Sequence, residues 1–503
     1  MKSDGNTQYV NINNIPKGFK ALMLLLPLAG LILIPYKLDN DFYFLYPTGE
    51  YIVNNGFPTK DFLSMHSNMD IIVQQWLSDV IFYGVYKLFG LIGIMLTVYI
   101  TYILFTFLMF KLCKLITNNF FISSCVTFVG SMVMSAMFYR SRPQIFTYLI
   151  ILTELYVLEK FVKDGKIKHL FVIPVLSLLL INTHSSMWAM LFVFMMPYFA
   201  AALPINLKKF KQVPCCSFVK LFVAAVVAFA AGFLNPYGTK AMAYILTSFG
   251  YDEINCYIGE MAAVSAGSVI GGLFLAILFV SVVIMLSKKG CYTTRFVLFY
   301  LGTLILSLTT IKSIAYFIIA AFPAMAYYMK DFTFDLKITK ESSSKTKLKR
   351  TVLIGVLIVL IACAFVSIYN SNTNEKDDEV AITSTRYSEL NDIIDIIKKS
   401  DDDITLYCGF DNGPYLEYYG LHPYLDCRAE LFLKDNNNEY DYMKEYVQLL
   451  GGEIYYKEVF DKYDFNYLVV SEQKELSLYN NMLHDDDYEL VYDGENMNLF
   501  VKK

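Results

Sequence analysis

The feature that most constrains this chain is a succession of apolar blocks, each roughly 16–24 residues long, that begins near Ala21 and stops after Tyr369. About 20 apolar residues in a helix cross the ~30 Å hydrocarbon core of a bilayer, and lipid admits only backbones that satisfy their own hydrogen bonds. The blocks therefore predict a mostly α, polytopic helical membrane bundle. Its spans, about eleven, fall near 21–36, 89–110, 120–138, 143–159, 169–182, 187–203, 218–234, 268–286, 296–311, 313–329 and 351–369. The first has a signal-like core, but no small-residue cleavage site follows before Lys37 and Asp39, so it is expected to stay as a helix. Composition agrees: 56% of the 503 residues are hydrophobic and 17% charged, an apolar excess over soluble domains.

Charge divides the chain at the same point. From Asn370 to Lys503 there are 30 acidic and 12 basic residues, a balance of −18, so the net of −4 leaves +14 for the rest. A basic membrane part and an acidic tail offer no single basic face for phosphate backbones, which argues against a nucleic-acid partner. Lysine and arginine in the connections also orient the bundle. The set of ends that includes the N-terminus carries 23 of them, the opposite set 7. The first set is expected in the cytoplasm, which puts the C-terminal domain outside.

Three regions follow: a membrane domain over 1–369, a first extracytoplasmic loop over 37–78 within it, and an extracytoplasmic α/β domain over 380–503. In the loop, Pro47 suits a first helical turn and Gly56 a helix end, and Gln75 to Lys87 forms an amphipathic run with Trp76 at the interface. In the tail, Arg386–Lys399 and Glu439–Leu450 read as helices. Ile404–Tyr407 and Asn466–Val470 read as strands, and Tyr488–Tyr492 with Asn498–Val501 as a hairpin closed near Gly494. The nine cysteines show no metal-ligand spacing; only Cys408 and Cys427 fall in the outer domain, where a disulfide between them stays open.

The orientation gathers the unusual polar residues on one side. Asp39 and Asp41 follow the first span, Arg140, Arg142 and Gln144 lie between two spans, and Asn182 and His184 share a polar notch. Asn235 and Tyr237, then Lys312, mark two further outer ends. A carboxylate at the membrane surface can accept a proton from a hydroxyl, which is general-base chemistry; a solvated helix-stopping turn is the plainer reading. Cations at such depth need a partner, and a phosphate headgroup would be one for arginine; snorkelling is the alternative, above all for Arg140. A lone histidine such as His184 is more often structural.

Several short stretches together resemble bacterial membrane proteins of the GT-C glycosyltransferase superfamily. They are Asp39-Asn40-Asp41-Phe42-Tyr43, Thr48-Gly49-Glu50-Tyr51-Ile52, Pro58-Thr59-Lys60-Asp61 and Gln75-Trp76-Leu77-Ser78-Asp79 in the first loop. Arg142-Pro143-Gln144, Asn182-Thr183-His184, Asn235-Pro236-Tyr237-Gly238, Pro414-Tyr415-Leu416 and Asp426-Cys427-Arg428-Ala429-Glu430 follow in the same order. The resemblance implies inverting transfer of a sugar from a polyprenyl-phosphate donor to an envelope glycan, lipid or protein on the outer face, with no cofactor assigned and metal dependence open. Carried over by position, Asp41 is the first choice for the base and Asp39 the second. Arg142, Lys312, His184 and Arg140 would hold the donor phosphate. Gln144, Asn182, Gln75, Trp76, Asn235 and Tyr237 would line the site. The chain departs from the group at Tyr43-Phe44-Leu45 and Gln74-Gln75, so no metal or acid role transfers there. A lipid-linked glycan transporter would place charges in a bundle too, but should show two matching halves of broken helices. A non-catalytic envelope assembly protein is the other alternative.

Overall fold

A computed structural model describes residues 7–9, 17–207, 210–248, 258–265, 267–286, 292–330, 337–339, 385–400 and 403–503. The expected span at 351–369 lies outside them. The chain forms two units. One joins Gly18–Asp331 with Phe410–Val459, and the other joins Met1–Lys17, Phe332–Gly409 and Phe460–Lys503.

The first unit is a helical bundle. Helix α1 (Lys17–Leu25) tightens into a 3₁₀ stretch over Leu26–Leu33, where Pro27 sits at the entry and cannot donate an α-helical bond. The Tyr102 hydroxyl donates to the Pro27 carbonyl (2.6 Å), an approach that Gly30 permits because a Cβ there would collide with that hydroxyl. Helix α2 (Phe42–Asn55) starts five residues before Pro47, which therefore lies inside the helix and not in its first turn. The carbonyls of Asp39, Asn40 and Asp41 accept from the N–H groups of Phe42, Tyr43 and Phe44, so the turn after the first span supplies the helical nucleus. Gly56, with φ 85°, ends it as expected.

Helix α3 (Trp76–Thr117) unites the amphipathic run and the following span, broken only at Gly90 (φ 59°, ψ −152°), a conformation that favours glycine. The bundle continues with α4 (Phe120–Met137), α5 (Gln144–Asp164), α6 (Val172–Thr183), α7 (Trp188–Ala202) and α8 (Phe218–Ala231). Next come α9 (Thr239–Ser248), α10 (Val269–Leu286), α11 (Thr294–Thr309) and α12 (Ile314–Met329). Helix α9 was not expected; its ten residues are too short to show as an apolar block. Among the described residues four helical stretches are long and apolar enough to cross a membrane: Trp76–Thr117, Phe120–Met137, Ser185–Ala202 and Ile311–Met329. Five further apolar helices are shorter. Helix α12 is buried on nearly every face and forms the centre of the core, whereas Phe89, Ile92, Leu96, Ile100 and Phe107 leave α3 with an exposed apolar side suited to lipid.

The second unit contains a helix over 385–397 (α13) and a four-stranded sheet of β1 (Leu406–Cys408), β2 (Tyr467–Val470), β3 (Tyr488–Asp493) and β4 (Asn498–Lys502). The order is β1-β2-β4-β3; β1 runs parallel to β2, and the other pairs are antiparallel. The hairpin falls where expected, and its loop is closed by Glu389, whose carboxylate accepts from the N–H groups of Glu495, Asn496 and Met497 at 2.9–3.0 Å.

Within the first unit, the segment 410–459 carries α14 (Gly413–Tyr418) and α15 (Tyr442–Leu450). The latter begins later than expected because Asp441 caps it, accepting from Lys444 N at 3.1 Å. Neither Cys408 nor Cys427 is in a disulfide.

Candidate active site

The turn between the first span and α2 presents two carboxylates to one guanidinium. Arg142 Nε lies 2.6 Å from Asp39 Oδ1 and 3.3 Å from Asp41 Oδ2. The backbone fixes the arrangement: Asp39 N donates to Ser141 Oγ (2.8 Å), Asp41 N donates to Asp39 Oδ1 (3.2 Å), and Arg142 N donates to Arg140 O (2.8 Å). Asp41 occupies the N-cap of α2 but caps with its carbonyl, not its side chain, which leaves the carboxylate turned to the site. All three side chains are partly exposed, at 14%, 25% and 21% for Asp39, Asp41 and Arg142. A residue not foreseen as part of this group, Cys427, places Sγ 3.5 Å from Asp41 Oδ1.

Not every expected phosphate ligand joins this group. Arg140 turns back on α4, donating to the carbonyls of Tyr139 (2.9 Å) and Ala136 (2.9 Å), and so caps that helix's C-terminal end. His184 ends α6 and is buried in the notch, with Nδ1 2.8 Å from Thr147 Oγ1. Burial, then the nearby charge of Lys312, lowers its pKa to about 3. Lys312 lies in the 3₁₀ turn Ile311–Ser313 that opens α12.

Several of the residues expected to line the site tie helix ends to the segment that runs from the first span to the start of α3. Trp76 Nε1 donates to Asn182 Oδ1 (2.8 Å), and Asn182 Nδ2 donates to Leu234 O (3.0 Å). Asn235 folds its own turn, accepting from Tyr237 N (2.8 Å), and Tyr237 hydroxyl reaches Pro58 O (3.1 Å). Gln75 caps α3 and is buried; Gln144 opens α5, its buried Oε1 without a hydrogen-bond partner among the described residues. Both carboxylate oxygens of buried Asp79 share that state.

The second group that sequence reasoning missed is centred on Arg428. Its Nη1 lies 2.7 Å from Asp61 Oδ1, its Nη2 3.3 Å from Glu417 Oε1, and its Nε 2.9 and 3.0 Å from the two oxygens of Asp426. The three carboxylates are fully buried. Burial raises Asp61, but the Arg428 charge and hydrogen bond outweigh it and hold Asp61 below the usual carboxylate range. Burial, then the charge of Asp426, pushes Glu417 well above that range. The segment 410–459 also grips the first loop through Met65 N to Pro423 O (3.1 Å), His66 Nε2 with Tyr424 O (3.0 Å) and His422 Nδ1 with Leu63 O (2.9 Å). The quoted motifs Pro58–Asp61 and Asp426–Glu430 held both ends of this network, but the pairing joins residues 367 apart, and no local pattern records it.

No family model matches the sequence, and no curated protein matches it either. Solved structures do. The chain is similar to the archaeal oligosaccharyltransferase AglB from Archaeoglobus fulgidus in complex with an inhibitory peptide and a dolichol-phosphate, with a TM-score of 0.57 at 10% identity over 92% of this chain and 70% of that one. It is similar to the same organism's oligosaccharyltransferase tethered to an acceptor peptide, with a TM-score of 0.53 at 11% identity over 97% and 74%. ArnT from Cupriavidus metallidurans bound to undecaprenyl phosphate gives a TM-score of 0.50 at 12% identity over 97% and 98%. The chain therefore shares the fold of these solved structures.

Proposed function

We propose that this chain is a membrane glycosyltransferase that moves a sugar from a polyprenyl-phosphate donor to an acceptor hydroxyl on the outer face, with inversion. The observation that carries the reading is the pairing of Asp39 and Asp41 on Arg142 in the turn that follows the first span. In the proposed step the acceptor oxygen attacks the anomeric carbon, its proton passes to Asp41, and the bond from carbon to phosphate oxygen breaks to release polyprenyl phosphate. Arg142 stabilises the charge that develops on that phosphate. Asp39 Oδ1 is engaged by Arg142 and by Asp41 N–H, so Asp39 orients the turn and Asp41 is the base. Lys312 adds a second cation for the donor. The membrane domain over 1–369, the outer loop over 37–78 and the outer domain over 380–503, with the N-terminus in the cytoplasm, complete the reading.

The test supplies the chain in nanodiscs with undecaprenyl-phosphate sugars and reads release of undecaprenyl phosphate by mass spectrometry. Asp41→Asn should lower turnover by about 10²–10⁴, the range for general-base loss, while donor binding persists. Arg142→Ala should weaken donor binding as well. Turnover retained in both Asp41→Asn and Asp39→Asn would remove the loop from the mechanism.

A further inference from the structure

We propose that Cys427 is a positioning residue whose thiol donates to Asp41 and sets that carboxylate's proton affinity, and that the Arg428 cluster exists to hold it there. The inference rests on the reading of Asp41 as the base. Cys427 Sγ stands 3.5 Å from Asp41 Oδ1, an ordinary distance for a sulfur donor and an oxygen acceptor, while Arg142 faces the other oxygen. Burial, then the charges of Asp41 and Asp426, raises the Cys427 pKa, so the sulfur keeps its proton and acts as a donor and not as a nucleophile.

The thiol's place is not set by its own backbone alone. Its neighbours in sequence, Asp426 and Arg428, are locked to each other by four contacts of 2.5–3.0 Å, and Arg428 is locked in turn to Asp61 of the first loop. Met65 N to Pro423 O and His66 Nε2 to Tyr424 O fix the approach on the other side. The loop that carries Asp41 and the segment that carries Cys427 are thus held at both ends of the contact. Asn40 Nδ2, donating to Asp411 O at 3.1 Å, adds a tie next to Asp41 itself. The charged and titratable groups around the contact are Asp39 from the turn, Arg142 from the connection before α5, and Asp426 and Glu417 from the 410–459 segment. Of these only Arg142 and the thiol favour the ionised form of Asp41.

A donor to a carboxylate stabilises the charged form and lowers its pKa. Removing the thiol must raise the proton affinity of Asp41, and replacing it with the stronger hydroxyl donor must lower it. A base acts when deprotonated, so the acidic limb of the pH–turnover profile should move to higher pH by roughly 0.3–1 unit in Cys427→Ala and to lower pH in Cys427→Ser. The second readout needs no turnover. The infrared S–H band that disappears in Cys427→Ala should shift towards its unbonded position in Asp41→Asn, and on acidification of the unmodified chain. Full-length protein in nanodiscs with an undecaprenyl-phosphate sugar serves both measurements. Limbs that stay put, or that move the same way in Cys427→Ala and Cys427→Ser, overturn the control of proton affinity. A band indifferent to Asp41→Asn overturns the contact, whereas retained turnover in Asp41→Asn overturns the base itself, so the two failures are read separately.

Discussion

Replacing Arg428 with methionine keeps much of the side chain's length and removes the positive charge that contacts three buried carboxylates. In the folded chain Arg428 contacts Asp61, Glu417 and Asp426 at 2.5–3.3 Å, and all three carboxylate side chains are fully buried. Burial and Asp426 push Glu417 up, while Arg428 holds Asp61 below the usual range, so methionine would leave the Asp61 and Asp426 carboxylates without the cation they contact. Breaking a buried ion pair from one side costs about 3–5 kcal/mol. Asp61 keeps the Ser64 N–H (2.9 Å) and hydroxyl (2.6 Å), which places the expected loss near the lower end, about 3 kcal/mol. That is a large part of the ~5–15 kcal/mol that holds a typical domain. Urea unfolding in mild detergent, followed by fluorescence of the two tryptophans, reads it directly, since Trp76 stands at the end of the first loop. Adding Asp61→Asn and Asp426→Asn to Arg428→Met should recover much of the loss, because the stranded charges are gone. A single variant within about 0.5 kcal/mol of the parent, or carboxamides that deepen the loss, would refute the view that Arg428 balances buried charge.

Glu417→Gln should match the parent at the low pH where an unfolded glutamate is protonated and become the more stable chain as pH rises, because the parent must then take up a proton to fold. The folded pKa of Glu417 is raised, so its contribution is complete below the unfolded value and fades as pH climbs through the folded one; the variant's urea midpoint should fall less on alkalinisation than the parent's. Asp61 has the opposite sign, with a lowered folded pKa, so Asp61→Asn should abolish stability that the parent loses only on acidification. Gly49→Ala should cost about 1–3 kcal/mol in the same unfolding assay, because its Cβ would meet the Asp79 carbonyl where α2 crosses α3. An impermeant thiol reagent on intact cells should label a cysteine introduced at Asn436 and miss one at Ser343; the reverse pattern would invert the proposed orientation.

How much of this was legible follows from the range of the signals. Apolar blocks and charge asymmetry are local sums, and they revealed the helical bundle and the hairpin of β3 and β4. Helix ends needed pairwise detail: α2 began at Phe42 because three backbone carbonyls in the preceding turn accept its first N–H groups, whereas Pro47 pointed to a later start. Asp39, Asp41 and Arg142 were legible as types placed at outer helix ends, and the structure brings those three together. His184 was legible as part of a polar notch, whereas the burial that lowers its proton affinity, with the charge of Lys312 128 positions away in sequence, comes from packing that no local pattern records. Cys427 and Arg428 escaped because their partners lie hundreds of residues upstream, and a lone cysteine beside a lone arginine carries no periodic pattern.

The 367-residue span between Asp61 and Arg428 also has a consequence for how such a chain is made. Synthesis proceeds from the N-terminus, and early segments fold while later ones are still absent. The loop bearing Asp39 and Asp41 leaves the ribosome long before the segment that clamps it. During that interval Asp61 has no arginine, Asp41 has no thiol beside it, and the loop waits on the helices alone. A chain interrupted before Arg428 would thus lack both the clamp on Asp61 and the thiol beside Asp41, which makes the segment 410–459 the last part of this centre to arrive.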